Sequence, residues 1–459
     1  MRGIPGRLWV ASVVSICLGA VCAAQAADRT DRSFGGDGFV KDWVGPVVDP
    51  GPLGPNIWDL AEHRGGFVGS LADLSAEQEY FGAVRYRHNG SIDRGFGRNG
   101  FTRPIERERF GRTQAQGIAV QRDGRIVVVG WRHKPFAFPP AAPLVVRYRR
   151  DGSFDRSFGH RGVVTQKPNA RRGGDVLHDV AIEPNGRIVA VGARGEYGFG
   201  QSNAHPSGLV VAYRPDGSVD HSFGEGGRVL FPAPGGHGEY TGLKSVEVLG
   251  DGRLLVAGYH FGSLFVARLL PDGRLDRSFG GGDGKLVTLA RPYGRGDPCP
   301  GICWSAAPFV LLPDGRILVI AATWPHLPVL LRLTADGEVD RSFGRRGLVP
   351  VFPKGHYFQP FDLALQGRRI VVAGFDEWYD GKGNGGLEYT VLRLLGDGSL
   401  DRSFGRRGIV VRREGPFSGA YAILNQGRRV VVAGGGEDER KEGDKWYSSF
   451  LLLTRYLPG

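Results

Sequence analysis

The sequence of 459 residues is poor in cysteine, lysine and methionine, with four Cys, nine Lys and one Met. So few cysteines exclude a small scaffold that depends on many disulfides. Long apolar runs are also scarce, and after residue 24 none approaches the ~20 residues that a membrane-spanning helix needs. The 41% of hydrophobic residues is still enough for a core, which excludes wholesale disorder.

Glycine, in contrast, is abundant, with 75 residues. These glycines show no Gly-X-Y period, so a collagen-like chain is excluded. A folded chain so rich in glycine is typical of a turn-rich, all-β protein.

The charge is unbalanced, with a formal net charge of +12 and 50 Arg against nine Lys. A basic excess can indicate binding to nucleic acid or to a membrane surface. The longest basic cluster is only residues 147–150, however, and most arginines recur at fixed places in a repeat. A GC-rich coding bias accounts for arginine over lysine, so we predict no nucleic-acid partner and no membrane span.

Residues 1–26 have the pattern of a signal peptide. Arg2 and Arg7 form the basic region, residues 8–24 the apolar region, and Ala24-Gln25-Ala26 the cleavage site. We therefore expect the mature domain, residues 27–459, to be exported, either secreted or periplasmic.

Two cysteines, Cys299 and Cys303, remain in the mature chain. An oxidising compartment favours a disulfide between them. The alternative, a metal site, needs further ligands, and no other Cys or His lies within twenty residues. We predict the disulfide, no metal and no cofactor.

One motif, Asp-Arg-Ser-Phe-Gly with small variations, recurs along the mature chain. Its copies begin at Asp31, Asp93, Asp155, Asp220, Asp276, Asp340 and Asp401, at intervals of 62, 62, 65, 56, 64 and 61 residues. Repeats of this length that hold several short strands are typical of propeller blades.

Each repeat has the pattern of a four-stranded meander. In one repeat the strands 180–182 and 187–191 flank Asn185-Gly186, a predicted type I′ hairpin turn, and a third strand, 209–213, follows. The chain ends after the third strand of a repeat and begins with the segment that completes one. The sequence therefore predicts a seven-bladed β-propeller of four-stranded antiparallel blades, closed by an N-terminal strand that completes the last blade beside residues 450–456.

The repeat resembles the delta-60 repeat of exported bacterial β-propeller proteins. Its strand, Asp-Gly turn, short spacer and Asp-x-Ser-Phe-Gly pattern is matched by all seven copies. That family is largely uncharacterised, so the resemblance implies the architecture and export and no catalytic residues.

The repeated side chains are interpreted as structural. The motif Phe is expected to pack between blades rather than to serve as a ligand platform. The motif Asp is expected to bond within its turn rather than to bind calcium. An arginine four residues before the second turn recurs in every repeat except at Ala212 and predicts a structural ladder on the third strand.

Function is then expected in the unrepeated loops, which open at one end of the propeller. Aromatic side chains with nearby charges suit sugar or peptide recognition. The predicted single ligand site comprises Trp131, Tyr240, Trp304, Trp324, Tyr357 and Trp378. The expected ligand is a carbohydrate, protein or peptide of the cell envelope or exterior, bound by a monomer, although any one of these aromatics could instead anchor its loop.

An enzyme is the alternative interpretation. No Gly-x-Ser-x-Gly, His-Glu-x-x-His or P-loop motif is present. Asp59, Asp179 and Asp362 precede innermost strands, with His178 beside one of them, and paired carboxylates can serve glycoside hydrolysis or lyase chemistry. Perturbed acids that converge on the channel mouth favour an enzyme, and a broad aromatic groove favours a binding scaffold.

Overall fold

The computed structural model describes residues 29–43, 56–73, 80–103, 105, 110–133, 141–166, 174–196, 206–232, 241–260, 263–288, 307–321, 328–351, 357–379, 385–442 and 445–458. These residues form 27 β-strands, which confirms the all-β class and the propeller built of antiparallel meanders. The signal-peptide segment 1–26, Cys299 and Cys303 lie outside the described residues.

Five sheets are separate blades. The first contains β2 (Asn56–His63), β3 (Gly66–Asp73) and β4 (Tyr80–Arg87). The second contains β5 (Arg112–Val120), β6 (Ile126–His133), β7 (Ala142–Tyr148) and β8 (Val163–Thr165). The third contains β9 (Gly174–Ile182), β10 (Ile188–Glu196), β11 (Ser207–Tyr213) and β12 (Arg228–Phe231). The fourth contains β13 (Thr241–Val248), β14 (Leu254–His260), β15 (Ser263–Leu269) and β16 (Lys285–Thr288), and the fifth β17 (Phe309–Leu311), β18 (Ile317–Ala321), β19 (Val329–Leu333) and β20 (Leu348–Pro350).

The remaining strands form one eight-stranded sheet. They are β21 (Tyr357–Gln366), β22 (Arg369–Tyr379), β23 (Gly385–Leu394), β24 (Ile409–Arg412), β25 (Phe417–Gln426), β26 (Arg429–Glu442), β27 (Lys445–Tyr456) and the N-terminal β1 (Phe39–Trp43). Their order is β1-β27-β26-β25-β23-β22-β21, and β24 also pairs with β23.

The prediction of seven blades is wrong, because the structure has five separate blades beside this continuous sheet. The fusion arises where β23 and β25 form a parallel pair at Leu387 and Phe417, and where the Leu387 N–H donates to the Pro416 carbonyl at 3.1 Å. Gly386 permits this approach, since a Cβ there would lie 2.0 Å from the Pro416 oxygen. These contacts lie outside the repeated motif, so the number and spacing of the repeats could not predict them.

The N-terminal strand lies on the edge of the eight-stranded sheet. β1 pairs antiparallel with β27, from Phe39 opposite Thr454 to Trp43 opposite Phe450. The Asp31 N–H also donates to the Arg455 carbonyl at 2.7 Å. The start of the described chain therefore covers the edge of its last long strand.

The first strand of each meander lies nearest the propeller axis. β2 contacts both β5 and β25, β5 contacts β9, β9 contacts β13, and β21 contacts β25. In an antiparallel meander, the first and third connections lie at one end of the sheet and the others at the opposite end. We call the end with the tight turns and the Asp-x-Ser-Phe-Gly segments the turn face, and the opposite end the loop face.

The turn at Asn185-Gly186 is not of the predicted type I′. Only Gly186 has a positive φ (+87°), and its N–H donates to the Glu183 carbonyl while the Glu183 N–H donates to Arg187. This is the three-residue loop with a glycine bulge. The same pair of bonds closes the turns at Gln121–Arg125 and Leu249–Arg253, so this turn type belongs to the repeat and not to Pro184 alone.

The core lies between the facing surfaces of adjacent sheets, and the motif phenylalanines belong to it. All seven are buried, with exposures of 0–1%, which confirms their predicted packing role. They are Phe34, Phe96, Phe158, Phe223, Phe279, Phe343 and Phe404. The next meander's Asp-Gly turn packs on the ring, and the motif glycine bonds to that turn, as where the Gly159 N–H donates to Asp216 at 2.7 Å.

Two turn glycines of one blade allow the cost of backbone strain to be distinguished from the cost of a packing clash. Gly337 (φ +88°) and Gly315 (φ +83°) both require the left-handed conformation, but a Cβ on Gly337 would lie 2.4 Å from the Phe279 ring and one on Gly315 only 3.3 Å from Ala335. We expect Gly315→Ala to lower the free energy of unfolding by about 1–2 kcal/mol. Gly337→Ala should lower the free energy of unfolding by roughly 1–3 kcal/mol more, because the new Cβ clashes with the Phe279 ring. Urea denaturation measures both, and equal losses would contradict the packing role.

The predicted arginine ladder is confirmed by its contacts. Arg393 is fully buried, its Nε donates to Asp401 at 2.9 Å, its guanidinium lies 4.5 Å from the Phe404 ring centre, and its Nη1 donates to the Leu457 carbonyl at 3.1 Å. Where Ala212 breaks the series, Arg187 of the neighbouring strand takes its place and donates to Asp220 at 2.8 Å. Each such arginine joins its motif Asp to its motif Phe.

Candidate functional site

Irregularities in the innermost strands aim side chains toward the axis. Bulges in β2, β9 and β21 add one residue immediately before an aspartate, at Trp58-Asp59, His178-Asp179 and Phe361-Asp362. β13 and β25 are bulged at Lys244 and Tyr421. A β-bulge re-aims the side chain of its extra residue. Each extra residue lies at or before the midpoint of its strand, toward the loop face.

The three aspartates bond adjacent innermost strands together. Each Oδ1 accepts the N–H of the following residue at 2.7–2.8 Å, and each Oδ2 accepts an N–H of the next innermost strand. The second contacts join Asp59 to Ile118 at 2.8 Å, Asp179 to Val246 at 2.8 Å and Asp362 to Ile423 at 2.7 Å. The carboxylates therefore lie in the wall of the channel.

Burial also destabilises the ionised form of these carboxyl groups. Burial raises the pKa of Asp59 to about 6, although its two backbone hydrogen bonds oppose the shift. Burial, with a contribution from the charge of Asp59, raises the pKa of Asp362 to about 7. Burial and then the charge of Asp59 raise the pKa of Asp179 well above its ordinary value. The three groups therefore act on one another across the channel.

Aromatic bulge residues form a cluster on one side of the axis. The Trp58 and Tyr421 ring centres are 4.9 Å apart, those of Phe361 and Tyr421 are 5.0 Å apart, and Phe361 lies 5.5 Å from Phe375. On another part of the wall, Lys244 Nζ lies 3.1 Å from His178 Nε2 and 5.7 Å from the Tyr259 ring centre. The site thus combines an aromatic surface with a polar pair.

The aromatic cluster continues to the loop face along β21 and β22. Gln359 pairs with Phe375 and Tyr357 pairs with Glu377, so these side chains share one face of the sheet with Tyr379. Tyr357 is 60% exposed and Tyr379 is 70% exposed, with its hydroxyl 3.0 Å from Glu377 Oε2. We call Trp58, Tyr421, Phe361, Phe375, Tyr357 and Tyr379 the aromatic track.

The structure places three of the six predicted ligand residues. Trp131 is 8% exposed and packs between two blades against Val176 and Ala193, so it is a core residue. Tyr357 lies in the aromatic track, and Trp378 lies on the opposite face of the same strand, with Arg413 3.7 Å from its ring centre. Tyr240, Trp304 and Trp324 lie outside the described residues.

Sequence reasoning missed the inner members of the track. Trp58 and Phe361 stand directly before the candidate acids Asp59 and Asp362, and Tyr421 holds the equivalent bulge position of β25. The available signal was that the residue before the innermost aspartate varies strongly between repeats.

The described residues contain neither a cluster of metal-ligating side chains nor a membrane-spanning helix. Within the described ranges, no three His, Cys, Asp or Glu side chains are arranged to hold a metal ion. Among these same residues, no helix has the length and apolar character needed to cross a bilayer.

Comparisons with known proteins support the propeller repeat. Residues 121–158, 249–279, 312–343 and 368–404 match the family described as "Domain of unknown function (DUF5122) beta-propeller". These four matches support a propeller repeat. A search of curated proteins found no match.

Solved structures with a related arrangement are distant in sequence. The phage phi92 endosialidase is 9% identical with a TM-score of 0.41, covering 92% of this chain and 69% of that one. A Lactobacillus plantarum protein is 12% identical with a TM-score of 0.41, covering 88% and 96%. The Trypanosoma rangeli sialidase is 10% identical with a TM-score of 0.39, covering 87% and 55%.

Proposed function

We propose that the chain is a binding scaffold that holds one extended carbohydrate along the aromatic track. The observations that carry this proposal are the ring contacts that run from Trp58 to Phe375 and the position of the exposed Tyr357 and Tyr379 on the sheet face that also holds Phe375. Aromatic faces bury the apolar faces of sugar rings, while Glu377 and the His178–Lys244 pair offer groups for hydroxyls.

A single composite site follows from the residues that build it. Trp58, Phe361 and Tyr421 come from three innermost strands, and their types do not recur at every equivalent bulge, where His178 and Lys244 also occur. Seven equivalent lectin sites would need repeated contact residues. We therefore propose one ligand per chain.

Export belongs to the same proposal. A delta-60 type of repeat, cleavage after residue 26 and a Cys299–Cys303 disulfide would place the scaffold in the envelope or outside the cell. Intact-mass measurement of exported protein, with alkylation before and after reduction, tests both the cleavage and the disulfide.

The outer end of the track supplies the binding test. We expect the double variant Tyr357→Ala/Tyr379→Ala to weaken binding by roughly 30- to 700-fold, because each exposed ring contributes about 1–2 kcal/mol when a sugar covers it. Isothermal titration with the tightest binder from a panel of cello-, chito- and xylo-hexasaccharides measures the loss and the stoichiometry.

Trp378→Ala is the matched control, since Trp378 stands beside Tyr379 but on the other face of β22. It should leave the dissociation constant within about two-fold, and both the double variant and Trp378→Ala should melt like the parent. Equal weakening by Trp378→Ala would contradict the track. Binding of extended decapeptides instead of glycans at the same tyrosines would overturn the carbohydrate class.

A carbohydrate-cleaving enzyme is the second candidate. It is favoured by the raised pKa of Asp362, about 7, because a general acid must carry a proton near neutral pH. Against it, both oxygens of each channel aspartate already accept backbone N–H groups. Release of reducing ends from the bound hexasaccharide, abolished by Asp362→Asn with binding retained, would establish the enzyme.

A further inference from the structure

A series of exposed arginines lies on the turn face, and the charge of one of them, Arg94, acts on Asp42. The second motif residue is Arg32, Arg94, Arg156, Arg277, Arg341 or Arg402 in six of the seven copies. All six are exposed, and within the described part of the chain none forms an ion pair or a side-chain hydrogen bond. These side chains contribute nothing visible to the packing of the fold.

A second series occupies strained positions beside the first. Arg161, Arg346 and Arg407 have φ values of +55°, +57° and +58°, in the left-handed region that disfavours residues with a Cβ. Asn99 and Gly226 take the same conformation in other copies. Because asparagine or glycine fits there with less strain, three exposed arginines indicate selection for surface charge rather than for the turn.

The acids of the same face cancel only part of these charges, through the exposed turn residues Asp151, Asp216, Asp336 and Asp397, which accept hydrogen bonds within their own turns. The motif aspartates are held by other arginines, as where Asp155 accepts from Arg147 at 2.8 Å and Asp340 accepts from Arg332 at 2.7 Å. The two exposed series are therefore additional to the paired charges. They place much of the net charge of +12 on one end of the propeller.

The segments that carry these arginines follow one another around the axis at one end of the propeller. Neighbouring motif segments are bonded to one another at this end, as in Gly97 to Asp151 at 2.6 Å and Gly280 to Asp336 at 2.8 Å. A planar partner can meet all of these segments at once, whereas a linear polymer crosses only part of the circle. The exposed large aromatic side chains of the described residues, Tyr357, Tyr379 and Phe417, lie at the loop face, so stacking on nucleic-acid bases has no platform here.

We propose that the turn face binds the phosphate headgroups of an anionic lipid membrane. The planar guanidinium fork matches phosphate oxygens in a bidentate way. Docking by this face points the loop face, with the aromatic track, away from the bilayer. The membrane site is thus independent of the carbohydrate site.

Vesicle binding tests the proposal. We expect the protein to cosediment with vesicles of phosphatidylcholine and phosphatidylglycerol, and not with phosphatidylcholine alone. The triple variant Arg156→Gln/Arg341→Gln/Arg402→Gln should bind on the order of 100-fold more weakly, at about 5-fold for each arginine. Binding should weaken steeply as salt is raised.

Two controls keep the result specific. The corresponding triple Arg→Lys variant keeps the charge and loses the bidentate fork, so its affinity should lie between that of the parent and that of the Arg→Gln variant. Arg103→Gln, which removes an exposed arginine at the loop-face end of the first meander, should bind like the parent. Three results would each overturn the membrane proposal. They are equal binding to uncharged vesicles, a triple Arg→Gln variant that binds vesicles as tightly as the parent, and an affinity for single-stranded DNA as high as that for the vesicles.

Discussion

Replacing Asp31 by alanine is expected to lower the free energy of unfolding by about 3–5 kcal/mol, because it leaves a buried arginine without its counter-ion. Asp31 Oδ2 accepts from Arg455 Nε at 2.9 Å and lies 3.0 Å from Arg429 Nε. The Arg455 side chain is only 2% exposed. Although burial alone would raise the pKa of Asp31, hydrogen bonds from Ser33 and the two arginines hold it below its ordinary value.

The Asp31–Arg455 ion pair also contributes to stability because it joins parts of the chain that are far apart in sequence. Asp31 and Arg455 lie 424 residues apart, and Arg455 also bonds through Nη1 to the His88 carbonyl of the first blade at 2.5 Å. One ion pair therefore holds the N-terminal segment, the last strand and the first blade together. Its loss should also expose the edge of β27 and increase aggregation on heating.

Asp37→Ala is the control for Asp31→Ala. Asp37 lies in the same segment but is exposed and accepts only the Phe39 N–H, at 2.9 Å, so its loss should change the unfolding free energy by less than about 1 kcal/mol. Asp31→Asn, which keeps an acceptor without the charge, should fall between the two. Urea denaturation measures all three, and equal midpoints for the Asp31→Ala variant and the parent would refute the closure role.

The parts of the fold that recur in every repeat were predictable from sequence. The motif Phe, the turn Gly and the strand Arg recur because each blade must solve the same packing problem against its neighbour. Even the exception at Ala212 was visible, although its replacement by Arg187 required the three-dimensional pairing with Asp220.

Features that occur once were not predictable in the same way. The fused eight-stranded sheet depends on the Leu387–Phe417 pair, which has no counterpart in the repeat pattern. Trp131 looked like a loop aromatic, but β6 continues through it and buries it between blades. The aromatic track was missed because bulges, which periodicity alone cannot locate, bring Trp58, Phe361 and Tyr421 together.

The channel aspartates make an unusual dependence of stability on pH. Their folded pKa values, about 6 for Asp59 and about 7 for Asp362, lie above the value of about 3.9 for an unfolded chain. The folded state therefore binds these protons more tightly than the unfolded state does. Their contribution to stability is complete below about pH 4 and is lost as the pH rises through 6 to 7.

The motif aspartates have the opposite effect on how stability depends on pH. Hydrogen bonds and arginine charges lower the pKa of Asp340 and, against the effect of burial, that of Asp276, so their contribution is present above about pH 4 and is lost in acid. Buried His63, whose pKa burial lowers, also stabilises the fold more as the pH rises through 6. Among the aspartates, the motif set is fully stabilising only above about pH 4 and the channel set is fully stabilising only below it, so maximum stability is expected near pH 4.

We therefore expect the free energy of unfolding to fall by several kcal/mol between pH 5 and pH 8, because folded Asp59 keeps its proton up to about pH 6 and folded Asp362 up to about pH 7, and each pKa unit corresponds to about 1.4 kcal/mol. The double variant Asp59→Asn/Asp362→Asn should show a much smaller decline, since amides cannot ionise. His63→Gln is the control and should keep or steepen the decline. Urea denaturation of each variant at both pH values measures the difference. A parent protein that becomes more stable toward pH 8, or a double variant with the same decline, would show that the channel carboxylates ionise freely and do not repel one another across the axis.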